Sequence, residues 1–108
     1  MSQQSLFNEG IEEFDLPDSE LHYHPQFLPK STANRLLHDL KENIEWTQNT
    51  IRFYGKQSLV PRLEAWYGDP GKSYAYSGIH MNPKPWTADL LEIKDPIEKQ
   101  AGVTFNSV

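Results

Sequence analysis

Thr50-Ile51-Arg52-Phe53-Tyr54-Gly55-Lys56 opens the stretch that decides the fold, and Tyr74-Ala75-Tyr76-Ser77-Gly78 closes it. Its first half changes the hydrophobic period from helical to two, reads Gly55-Lys56 as a turn, and enters Pro61 through Leu59-Val60, which is the pattern of a β-hairpin. Leu63-Glu64-Ala65-Trp66-Tyr67 reads as a further strand, closed by the turn cluster Gly68-Asp69-Pro70-Gly71. Ser73 to Ile79 returns as another strand. The whole stretch is extended, aromatic and punctuated by turns.

Outward from this centre, the flanks read as helices. Upstream, Ala33, Leu36, Leu37, Leu40 and Ile44 recur at helical spacing behind Ser31, an N-cap candidate, which gives an amphipathic helix from about Thr32 to Asn43. Trp46 follows as a core anchor. Before the helix, residues 1–20 are polar and acidic and read as a flexible leader. His22 to Pro29, broken by prolines, reads as a short edge strand. Downstream, Met81-Asn82-Pro83-Lys84-Pro85-Trp86 is an extended loop. Thr87 caps a helix carrying Leu90, Leu91, Ile93 and Ile97, which Pro96 should kink or restart and Gly102 should end. Val103 to Val108 reads as the start of a strand. A chain that stops in a strand-like run leads to the expectation that more protein follows it.

Composition narrows the function. The 108 residues carry a net charge of −5 and are 37% hydrophobic, so the core is marginal if the chain stands alone. There is no cysteine, which excludes disulfides and thiolate metal sites. No secretory signal or membrane-length apolar run is present, so no membrane partner and a cytoplasmic location are the expectations. The charge is unevenly spread. Between Asn49 and Pro85 the cations Arg52, Lys56, Arg62, Lys72 and Lys84 face only Glu64 and Asp69, a local balance of +3. That segment also holds Phe53, Tyr54, Trp66, Tyr67, Tyr74 and Tyr76.

Catalytic patterns are missing. No His-x-Asp or His-x-Glu pair, Gly-x-Ser-x-Gly elbow or phosphate loop occurs in the chain, and no paired carboxylates stand out. His22 and His24 would share a strand face, with Asp18 or Glu20 nearby, but nothing in the sequence fixes their orientation as ligands. His38 reads as an exposed helix residue and His80 as a solvent-facing one.

What remains suits nucleic acid. Tyr54 and Lys56 flank a hairpin tip, where a ring can wedge into a base stack and a cation can meet phosphate. Arg62, after a proline, could hold a phosphate or a base edge. Tyr74 and Tyr76 project from one strand face, which suits stacking on an unstacked base. Phe53 and Trp66 are read instead as half-buried sheet residues.

At these same residues the sequence resembles a family. Tyr-Gly-Lys, Val-Pro-Arg, Trp-Tyr-Gly-Asp, Tyr-x-Tyr-Ser-Gly and Pro-Lys-Pro-Trp, followed by a helix into Phe-Asn-Ser-Val, look like the amino-terminal half of AlkB-type dioxygenases over roughly Tyr23 to Val108. The resemblance implies an α+β fold: the amino-terminal helices and β-hairpins of a double-stranded β-helix (jelly-roll) dioxygenase, cut before the metal-binding core. It implies residues 1–20 as leader and 21–108 as an incomplete substrate-recognition part. The full-length family uses Fe(II) and 2-oxoglutarate to oxidise N-alkyl groups on DNA or RNA bases, and the hydroxyalkyl product leaves as an aldehyde. By position, Tyr54 matches the aromatic that fills the gap of a flipped base, Arg62 a basic residue near the substrate strand, and Tyr74, Tyr76 and Ser77 the wall of the base pocket. The family's iron ligands and 2-oxoglutarate contacts have no match here, so this chain is expected to bind neither and to be inactive alone. The alternatives are a stand-alone nucleic-acid-binding module, or a fragment that self-associates through unfinished strand edges.

Overall fold

A computed structural model describes residues 10–108, so the leader's first nine residues lie outside the described part. The chain divides within its first described helix into two units, one up to His38 and one from Asp39 to Val108.

In the first unit, residues 12–23 form a hairpin where a leader was expected to run to Glu20. Strands β1 (Glu12–Leu16) and β2 (Ser19–Tyr23) pair antiparallel with Phe14 opposite Leu21 and Leu16 opposite Ser19. Pro17 sets the first turn position and Asp18 takes φ +52, the φ pattern of a type II turn. Phe14, Leu16, Leu21 and Tyr23 share one exposed face. On the other face His22 bonds Glu20 at 2.9 Å and lies 3.6 Å from Glu13.

Helix α1 spans Lys30–Asn43, two residues longer at its start than the sequence pattern gave. Ser31 lies inside the helix and is not its cap, because the Pro29 carbonyl accepts from Ala33 N at 2.8 Å and closes the first turn earlier. Of the expected apolar stripe, Leu36 is buried, as is Ile44 just beyond the helix end, while Leu37 is exposed, one residue and so about 100° round from Leu36.

The second unit carries two further hairpins and helix α2. β3 (Thr50–Phe53) pairs with β4 (Lys56–Leu59), Phe53 opposite Lys56, so the turn is Tyr54-Gly55 and not Gly55-Lys56. β5 (Tyr74–Tyr76) pairs with β6 (Ile79–Met81) across Ser77-Gly78, so the strand expected to reach Ile79 folds back on itself. Both two-residue turns have positive φ at both positions: +49 and +76, then +46 and +77. That is the type I′ signature, whose twist matches paired strands.

Leu63–Tyr67 and Val103–Val108, expected as strands, make isolated bridges instead. Glu64 pairs with Thr47, Tyr67 with Lys84, and Gly68 with Ser107. Tyr67 and Val108 exchange both backbone bonds at 2.9 and 2.8 Å, and Asp69 N donates to Asn106 O at 2.8 Å. Gly68 permits this approach: a Cβ there would stand 2.6 Å from Asn106 O and 2.7 Å from Ser107 Cβ.

Helix α2 (Ala88–Ala101) begins as the sequence predicts, with Leu90 N donating to Thr87 Oγ1 at 3.1 Å, and ends on Gly102 at φ +72. Of the kink or restart expected at Pro96, the restart does not occur, and Ala88–Ala101 is one helix with the proline inside it. Between the end of α1, α2 and the Phe105–Val108 segment lies an apolar groove of about 480 Å³ lined by Leu40, Ile44, Tyr67, Ile93 and Phe105 among others. Trp46 edges this groove at 45% exposure, a rim residue and not a buried anchor. Among the described residues, the buried hydrophobic ones are Leu36, Ile44, Val60 and Tyr67.

Candidate nucleic-acid interface

The β3–β4 hairpin presents an aromatic tip. Tyr54 occupies the first turn position and is 92% exposed. Phe53, expected to be half-buried, is 67% exposed and meets the Tyr54 ring edge-on at 4.4 Å. The reason is that β3 has a partner on one side only and no layer packs over Phe53. Lys56 opens β4 directly opposite Phe53 in the register of the hairpin. At its base the hairpin is anchored by buried Val60, whose N–H donates to Asn49 O at 2.8 Å.

The second feature is a row of side chains on the β5 face. Tyr74 and Tyr76, two apart on the strand, lie 5.6 Å apart by ring centroids. Trp66 stacks on Tyr74 at 5.0 Å, its indole N–H donating to Lys72 O at 2.6 Å. At the other end, the Arg62 guanidinium sits 5.4 Å from the Tyr76 ring centre. The row Trp66–Tyr74–Tyr76–Arg62 thus presents π surface and a cation in one line, a combination that suits base stacking and cation–π contact. Ser77 belongs to the β5–β6 turn at φ +46, so it stands at the end of this row and not within the strand wall. His80, on β6 opposite Ala75, is exposed.

Glu64 binds the row together, and the sequence reading passed over it. Its carboxylate, 10% exposed, accepts from Arg62 Nε at 2.7 Å, from Asn49 Nδ2 at 2.7 Å, and from the Tyr76 hydroxyl. Hydrogen bonding to the charged form, led by the Tyr76 hydroxyl, holds the Glu64 carboxyl below the usual carboxylate range. The same bond raises Tyr76 above the ordinary tyrosine value, and pairing with Glu64 raises Arg62. Arg62, read from sequence as able to hold a phosphate or a base edge, is already paired with a carboxylate. The sequence signal for this was Arg-x-Glu on an extended segment, which puts both side chains on one side.

No protein-family model matches the chain. Over most of its length the chain is nevertheless similar in sequence to AlkB-type dioxygenases. It is 34% identical to DNA oxidative demethylase ALKBH2 of Mus musculus over 82 residues, covering 73% of this chain and 34% of that protein. It is 36% identical to alpha-ketoglutarate-dependent dioxygenase alkB homolog 3 of Homo sapiens over 104 residues, covering 93% of this chain and 36% of that protein. The human ALKBH2 match is similar, at 35% identity over 73% of this chain. The chain spans about a third of the length of the curated relatives it matches. Among the described residues, small antiparallel sheets with two helices form a mixed α/β arrangement compatible with a fragment of that fold.

Among the described residues, no group of three or more His, Cys, Asp or Glu side chains is placed to hold an ion.

Proposed function

We propose that this chain is the substrate-recognition part of an AlkB-type oxidative dealkylase, which grips DNA or RNA carrying alkylated bases without oxidising them itself. In this reading the jelly-roll core, with its Fe(II) and 2-oxoglutarate, belongs to the full-length family and not to these 108 residues. The observation that carries the reading is Tyr54, 92% exposed at the tip of a hairpin in a chain that matches nucleic-acid demethylases. A large ring held in solvent on a two-stranded support contributes little to folding and much to a contact with a splayed base. The Trp66–Tyr74–Tyr76–Arg62 row supplies a second stacking surface in the same unit.

The test is binding of the purified chain to a short single-stranded oligonucleotide, with and without one N-methylated base, across a salt series. The expected result is affinity that falls as salt rises, because phosphate contacts release counterions. Succinate assays with iron and 2-oxoglutarate should stay at background. Absence of oligonucleotide binding would refute the recognition role. Iron-dependent succinate production by this chain would refute the separation of recognition from catalysis.

A further inference from the structure

The geometry points to Glu64 as the positioning residue of the aromatic row, turning the Tyr76 hydroxyl inward and holding Arg62 alongside, so that a base meets the ring face of Tyr76 and not its hydroxyl. This rests on the nucleic-acid reading above. Three observations carry it. The Tyr76 hydroxyl is committed to the carboxylate, which removes its donor from a base edge. The second oxygen of the same carboxylate accepts from Asn49, immediately before β3, so one group fixes both the root of the Tyr54 hairpin and the β5 face. The backbone of Glu64 is itself fixed, donating to Thr47 O at 2.7 Å and accepting from Thr47 N at 2.8 Å. A carboxylate so held loses little freedom in orienting its partners, which is how a supporting shell keeps a binding surface in register.

The arrangement also sets what the row recognises. With its hydroxyl engaged, Tyr76 offers stacking and discriminates weakly between bases, because every base has a π-face.

The test uses the full chain with tyrosines carbon-13 labelled at Cζ. In the parent the Tyr76 signal should titrate above the ordinary tyrosine value, and in Glu64→Ala it should fall back toward that value. Binding of an N-methylated single-stranded oligonucleotide should weaken about tenfold in Glu64→Ala and about threefold or less in Glu64→Gln, which keeps one acceptor oxygen. Tyr76→Phe added to Glu64→Ala should weaken binding no further, since the two share one interaction. If Glu64→Ala does not fold, the Tyr76 titration in Glu64→Gln decides, and it must move down toward the ordinary tyrosine value. An unmoved Tyr76 titration, or undiminished binding in Glu64→Ala, overturns the proposal. A Tyr76 signal that moves while the parent chain binds no oligonucleotide would uphold the positioning and refute the nucleic-acid reading alone.

Discussion

Replacing Tyr54 by asparagine separates the function of the hairpin tip from its stability. Tyr54 sits at φ +49 in a type I′ turn, followed by Gly55 at φ +76. Asn-Gly is a favoured pair for this turn, and a left-handed backbone costs a residue such as tyrosine about 1 kcal/mol that asparagine largely avoids. Against that gain stands the loss of the edge-on contact with Phe53 at 4.4 Å, worth about 1 kcal/mol. The ring buries almost nothing else, being 92% exposed. The two effects offset, so the unfolding free energy of Tyr54→Asn should stay within about 1 kcal/mol of the parent. Binding should behave differently. Loss of one stacked ring removes about 1–3 kcal/mol, a five- to 150-fold rise in Kd for a single-stranded oligonucleotide. Urea melts followed by tryptophan fluorescence read the first quantity and fluorescence anisotropy the second. Binding that is unchanged, or a melt that drops by several kcal/mol, would mean the tyrosine is kept for the fold and would refute the reasoning.

Lys56→Ala should weaken oligonucleotide binding and flatten the salt dependence by about 0.7 to 0.9 in slope, checked by repeating anisotropy across salt; an unchanged slope would show that Lys56 meets no phosphate. Gly68→Ala places a Cβ 2.6 Å from Asn106 O and 2.8 Å from Ser107 Cα, both backbone atoms, so it should cost about 1–3 kcal/mol and lower the urea midpoint. The Glu64–Tyr76 pair makes stability depend on pH in two windows. Tyr76 is raised, so its contribution is complete below pH 10 and disappears as pH climbs through its folded value; Glu64 is lowered, so its contribution is complete above pH 4.5 and disappears as pH falls. Thermal melts across pH should show both declines, and Glu64→Gln should blunt them.

Local chemistry was legible in the sequence and long-range pairing was not. Thr87 and Gly102 were readable because a cap is made by the residues beside it, Leu90 N in one case and Glu98 O in the other. The hairpin at Thr50 was readable from its period, but its turn was placed one residue late, because tyrosine at positive φ breaks the usual preference for glycine or asparagine. That departure falls at the residue assigned to function, where such departures are expected. Glu64 was missed because Tyr76 and Asn49 reach it from 12 and 15 residues away. Trp46 and Phe53 were placed inward on hydrophobicity alone, yet burial depends on what packs over them, and neither strand β3 nor the groove rim has a covering layer.

The exchange of backbone bonds between Tyr67 and Val108 also dictates an order of events. The hairpins around Tyr54 and Ser77 close between near neighbours in sequence, on a timescale of about microseconds. Joining residues 67–69 to residues 106–108 instead encloses a loop of about 40 residues that includes β5, β6 and all of α2. That closure pays its entropy before any contact rewards it, so it belongs late in the folding of this unit. The hairpins around Tyr54 and Ser77 can therefore take shape while the groove beneath Phe105 is still open.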